Sequence, residues 1–98
     1  MIHLVVLDRD PLRPVPNFMD ALITKARKGF YWMIMPGVWL VDTLVPAAEL
    51  AKILREHITE QDSLFVVRLR AEYGGWLPKK AWDWLNVSRE NNDFDRQE

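Results

Sequence analysis

No cysteine occurs in the chain. That excludes a disulfide framework and thiolate chemistry, and it fits a reducing cytoplasm, the expected location. His3 and His57 are the side chains that titrate near neutral pH, and neither has a carboxylate at ligand-like spacing. Ser63 and Ser88 are the only serines, and neither lies in a nucleophile elbow. The four glycines form no phosphate-cradling loop. Metallo-hydrolase, serine-hydrolase and nucleotide-dependent chemistry are therefore poorly supported. No apolar run approaches the roughly 20 residues of a membrane span, so no membrane association is expected, and no basic segment precedes an apolar leader. A dominant charge is also lacking. The 13 Lys+Arg oppose 14 Asp+Glu for a net −1, unlike the strongly basic footprint of a dedicated nucleic-acid binder.

What the chain has is apolar bulk. Hydrophobic residues make up 49% of its 98 positions, including five Trp, four Phe and two Tyr, enough to bury one core. The reading is one domain over residues 1–86 followed by a polar, flexible tail over 87–98. That tail holds Glu90, Asp93, Asp95 and Glu98 against Arg89 and Arg96, which leaves the body slightly basic. A local basic patch is allowed by this balance.

Ile2 to Leu7 is apolar on both faces and reads as a covered strand ending at Asp8. The prolines of Asp10 to Pro16 forbid regular structure. A helix is expected from about Asn17 to Lys28, with Asn17 as N-cap, Asp20 in the first turn, Lys25, Arg27 and Lys28 in the last turn, and Gly29 as the stop. Phe30 to Met35 and Val38 to Thr43 read as strands joined at Pro36-Gly37, a pair suited to a type II turn. Trp39 and Val41 share one face of the second of these, Val38 and Leu40 the other. A second helix is expected from about Pro46 to Ile58, with a stripe of Leu50, Ile53, Leu54 and His57. Leu64 to Ala71 reads as a half-exposed strand, with Phe65, Val67 and Leu69 inward and a basic outer face of Arg68 and Arg70. A short helix from Pro78 to Leu85 closes the domain.

The order βαββαβ plus a terminal helix predicts an α+β, ferredoxin-like fold. Its antiparallel sheet carries the two long helices on one face, with a short C-terminal helix added. The opposite face is then expected to be open and apolar, and a homodimer to bury it through sheet faces or edge strands.

Val38-Trp39-Leu40-Val41-Asp42-Thr43, then Ala48-Glu49-Leu50, then His57-Ile58 through Asp62, Leu64 and Val66, together resemble the small SinR-type bacterial proteins. The aromatic segment from Gly75-Trp76-Leu77 to Trp82-Asp83-Trp84-Leu85 extends the resemblance, which covers roughly residues 2–86. That family is similar in fold to the CRISPR-associated endonuclease-two proteins and the VapD ribonucleases. The resemblance implies a ferredoxin-like dimer in which an Asp at the end of the first strand meets its mate at a shared divalent ion. Asp8 matches that position, and its setting, Leu7-Asp8-Arg9, departs from the aromatic-or-polar then apolar neighbours usual in those nucleases.

Two function classes follow. In the first, a nucleic-acid-related dimer retains or has lost weak Mg²⁺-dependent nuclease activity. Asp8 is its catalytic and metal-binding group and Asp10 a second metal ligand, because Mg²⁺ takes one or two carboxylates and keeps waters for a substrate phosphate. Arg9, Arg13, Lys25, Arg27, Lys28, Arg68 and Arg70 then neutralise phosphates. In the second, the domain is a non-enzymatic binding module for a protein partner, acting through its exposed sheet or an edge strand, as in phage defence or counter-defence. The helix-end bases are more often dipole compensation than ligands, and the tryptophans more often fill cores and interfaces than stack on bases.

Overall fold

The computed structural model describes residues 1–10, 12, 16–70 and 72–92. The elements run β1 (Ile2–Asp8), α1 (Pro16–Lys25), β2 (Ala26–Met35), β3 (Val38–Thr43), α2 (Ala47–Arg55), β4 (Ser63–Arg68) and α3 (Lys79–Asn92). The four strands form one antiparallel sheet in the order β2-β3-β1-β4, which is compatible with a ferredoxin-like arrangement.

Register assigns each side chain to a face. Leu4 lies opposite Leu40 on β3 and Val67 on β4, and Val5 lies opposite Trp39 and Val66. Odd-numbered residues of β1 therefore share a face with Trp39, Val41, Leu64 and Val66. On that side Val5, Leu7, Trp39 and Val41 pack with Phe18 and Leu22 of α1 and with Leu50 and Leu54 of α2. Phe18 meets Trp39 with ring centroids 5.5 Å apart. Each such fully buried large side chain contributes about 1.5–3 kcal/mol by leaving water, which makes this the main core.

The other face was expected to be open, and in part it is covered. Trp84 and Leu85 of α3 pack with Ile2 and Leu40, and Phe30, Trp32 and Leu4 join the same cluster. Phe30 and Trp84 stack at 4.8 Å. The helix also continues to Asn92, through the first half of the expected tail, and Ser88 is buried. The rest of that expected tail lies outside the described residues. Along β4 the same face stays open, with Phe65 63% exposed and Val67 36% exposed.

Two local expectations are corrected. The first helix stops at Lys25, not Lys28, because Ala26 pairs with Thr43 and Thr43 Oγ1 donates to Lys25 O at 2.6 Å. Lys28 (φ 54°) and Gly29 (φ 70°) consequently kink β2 rather than end a helix, and Asp20 falls beyond the first turn. The faces of β4 are also reversed. Leu64 and Val66 pack on the main core, while Phe65 and Val67 face outward. Both sets are apolar, so pairing with Leu7 and Val5 decides which is buried.

Candidate functional site

Asp8 ends β1 opposite Ser63, with its side chain exposed. With Leu7, Arg9, Met33, Pro36, Gly37 and Trp39 it lines a cleft of about 330 Å³. The β2–β3 turn is tied to this end of β1, since Leu7 N donates to Gly37 O at 2.7 Å. Gly37 has φ 82°, and a Cβ there would lie 2.5 Å from Leu7 O. Only glycine fits that close approach. The Pro36-Gly37 pair thus occupies the turn as its chemistry predicts, with glycine at the positive-φ position.

Asp10, two residues on from Asp8, is also exposed. Its Oδ1 accepts the Leu12 amide at 2.9 Å, an Asx turn that uses the carboxylate to hold the loop. Arg9 Nη1 donates to Asp10 O at 3.2 Å. Among the described residues, no three His, Cys, Asp or Glu side chains gather as a metal cluster.

The basic residues named from the sequence are mostly at the other end of the sheet. Arg68 lies opposite His3, and Ala26, which precedes Arg27, lies opposite Thr43, whose amide donates to Met1 O. His3 and Asp8 are five strand residues apart, about 17 Å. Arg27 Nη1 sits 3.7 Å from Asp42, a buried carboxylate that also lies 3.8 Å from the Met1 ammonium. Arg27 is thereby committed to a structural ion pair. Lys25, Lys28 and Arg70 are exposed. Arg9 alone of the described bases accompanies Asp8 in its cleft. Arg13 lies outside the described residues.

His3 is a structural histidine. It is fully buried, and its Nε2 lies 2.7 Å from Val45 O. Burial holds its pKa below the ordinary value of 6.5, with the Met1 ammonium and Arg68 adding to the effect against the hydrogen bond to Val45. The Val45 carbonyl can only accept, so Nε2 carries the proton of this hydrogen bond.

Asp42 was missed as a feature, and the exposed sheet and edge strand expected from the sequence fall in part on β4 at Phe65 and Val67, the residues that the sequence reading sets inward. Asp42 was legible only as part of Val41-Asp42-Thr43 and gave no burial signal of its own. The β4 edge had a signal in its apolar character on both faces. Beside it, Ala48, Ala51, Ile58 and Leu64 floor a groove of about 470 Å³, walled by Lys52 and Arg55 on α2 and by Glu60 and Asp62 in the loop before β4. Leu69 N donates to Ile2 O at 2.8 Å, so odd-numbered residues of β4 direct their amides and carbonyls toward β1. By strand alternation, those of Leu64, Val66 and Arg68 are directed away from it, along the edge.

No family model, no curated protein and no solved structure matches this chain.

Proposed function

We propose that the chain is a non-enzymatic protein-binding module of ferredoxin-like fold, acting through the β4 edge and the open part of the sheet beside it. The observation that carries this reading is a regular edge strand with Phe65 and Val67 exposed and a groove alongside. An edge of that kind adds a strand readily, with main-chain hydrogen bonds for affinity and side-chain pockets for selectivity. The separation of Asp8 from most of the bases supports binding over phosphate chemistry. Incubation with single- and double-stranded RNA and DNA in Mg²⁺ or Mn²⁺ leaves every substrate intact on this reading. Cleavage by the wild type that disappears in Asp8→Ala overturns it.

That outcome would favour a second reading, a nucleic-acid-related dimer of endonuclease-two-like fold. Its support is the exposed Asp8 at the end of β1 with Arg9 in the same cleft, together with the SinR-type resemblance. The chain's residues fit such a metal as half a site. Asp8 of each copy would hold one Mg²⁺, which supplies charge neutralisation at phosphate and a bound water of lowered pKa.

A further inference from the structure

We propose that the occupant of the β4 edge is a second copy of this chain, paired antiparallel about a two-fold axis at Phe65. The inference rests on the reading of β4 as the binding edge and specifies what binds there. It comes from the charge order along the strand. Two acids, Glu60 and Asp62, precede β4, and two bases, Arg68 and Arg70, follow its apolar centre. An edge that is acidic at one end and basic at the other is complementary to itself when reversed.

The register follows. Centring the pair on Phe65 brings Asp62, whose Oδ2 accepts from the Thr59 amide and hydroxyl in the turn before β4, level with the partner's Arg68, and places that turn, with Glu60 in it, at the end where the partner's Arg70 leaves its strand, each twice by symmetry. Leu64 then faces the partner's Val66, and these are residues whose amides and carbonyls point outward, so they exchange hydrogen bonds across the axis. The two Phe65 rings meet on the open side of the sheet, covering apolar surface that is 63% exposed in the single chain. Shifting the centre to Val66 would instead set Leu64 against the partner's Arg68. The partner's Val66 side chain enters beside Leu64, where the groove floored by Ala48 and Ala51 has room. The result is one continuous eight-stranded sheet.

This arrangement is incompatible with a shared ion. Asp8 is level with Ser63, two residues from the axis. Its mate lies three strand spacings across and four residues along, about 20 Å away, whereas two carboxylates on one Mg²⁺ approach within about 5 Å.

The absence of cysteine makes the test clean, since an introduced thiol is the only one. Phe65→Cys places two thiols opposite each other at a Cα separation of about 4.5 Å, within disulfide range. It is expected to cross-link on oxidation, while Ser63→Cys, about 14 Å from its mate, does not. In sedimentation equilibrium the wild type is expected to be a dimer. Val66→Pro, which removes an outward amide and no bond to β1, weakens it. Glu60→Arg raises the dimer Kd about tenfold or more, and adding Arg70→Glu restores it. A monomer at every concentration, or a dimer untouched by Val66→Pro together with a Phe65→Cys variant that does not cross-link, overturns the proposal. Neither result touches the reading of β4 as a protein-binding edge. That reading fails separately if wild type and Val66→Pro capture the same proteins from a lysate.

Discussion

The sheet has two edge strands, and they are finished differently. β2 is long and irregular. Its pairing with β3 shifts register between Ala26 and Tyr31 and again between Met33 and Met35, and Lys28 and Gly29 turn the backbone through positive φ. Its neighbouring sheet surface is roofed by α3 through Trp84 and Leu85. β4 is short and unbroken in register from Ser63 to Arg68, and the surface next to it keeps Phe65 and Val67 in solvent. Bulges and a covering helix are devices that stop an edge from recruiting another strand. One edge has them and the other does not. The docking proposed for β4 draws on that difference, while β2 keeps Met33 and Met35 about half exposed.

The sharpest way to break this contrast is to remove the roof. Trp84→Ala takes away the ring stacked on Phe30 and is expected to cost about 3–5 kcal/mol in urea unfolding, because a buried indole leaves a cavity. A cost below about 1 kcal/mol would mean that α3 does not close the β2 side. Next comes the direction of the backbone in β4. Val67→Pro deletes an amide that points toward β1 and is expected to lose about 3 kcal/mol or more, whereas Val66→Pro deletes an outward amide and loses markedly less. Equal costs in thermal melts would show that the outward direction assigned to Val66 is wrong.

A smaller effect tests the joint between β1 and the helix side. His3 has a folded-state pKa below its unfolded value, so the unfolded chain binds the extra proton first as pH falls. Its contribution to stability is fully present above about pH 6.5 and declines below it, by up to about 1.4 kcal/mol per pH unit, until the folded-state value is reached. Denaturation curves from about pH 7.5 to 5 should show this slope, and His3→Gln should flatten it. The smallest effect on the fold itself is expected at the open edge. Phe65→Ser should change the stability of the single chain by less than about 0.5 kcal/mol, as for surface positions generally. A large loss measured on the monomer would place Phe65 in a core and remove the contrast between the edges.

Much of the architecture could be read directly from residue patterns. The period-two alternation of β3 separated Trp39 and Val41 from Leu40, and the structure buries them in different clusters. The stripe Leu50 and Leu54 marked the inner side of α2, and both are fully buried. Patterns failed where two answers looked alike. In β4 both faces are apolar, and only the register against β1 selects Leu64 and Val66 for the core. Around Lys25 to Gly29 the residues suit a helix end, yet pairing of Ala26 with Thr43 claims them for the sheet. The exposure of Asp8 at a strand end was foreseeable. Its distance from Arg27 and Arg68 was not, because it depends on which strands neighbour which. The docking of α3 was equally hidden, since Trp82, Trp84 and Leu85 announce an apolar helix without naming its target.

β1 is the first strand of this domain to be synthesised, and it is central in the sheet, with β3 on one side and β4 on the other. β4 is the last of the four strands to emerge from the ribosome. Until then the backbone of β1 lacks half its partners, and Ile2, Val5 and Leu7, all buried in the finished domain, have no completed core to enter. Such non-local closure makes folding wait for the nearly complete domain. Among the described elements, the strand that completes the sheet and the helix that covers part of it are made last, and a product truncated before them is left with an apolar strand open to other chains.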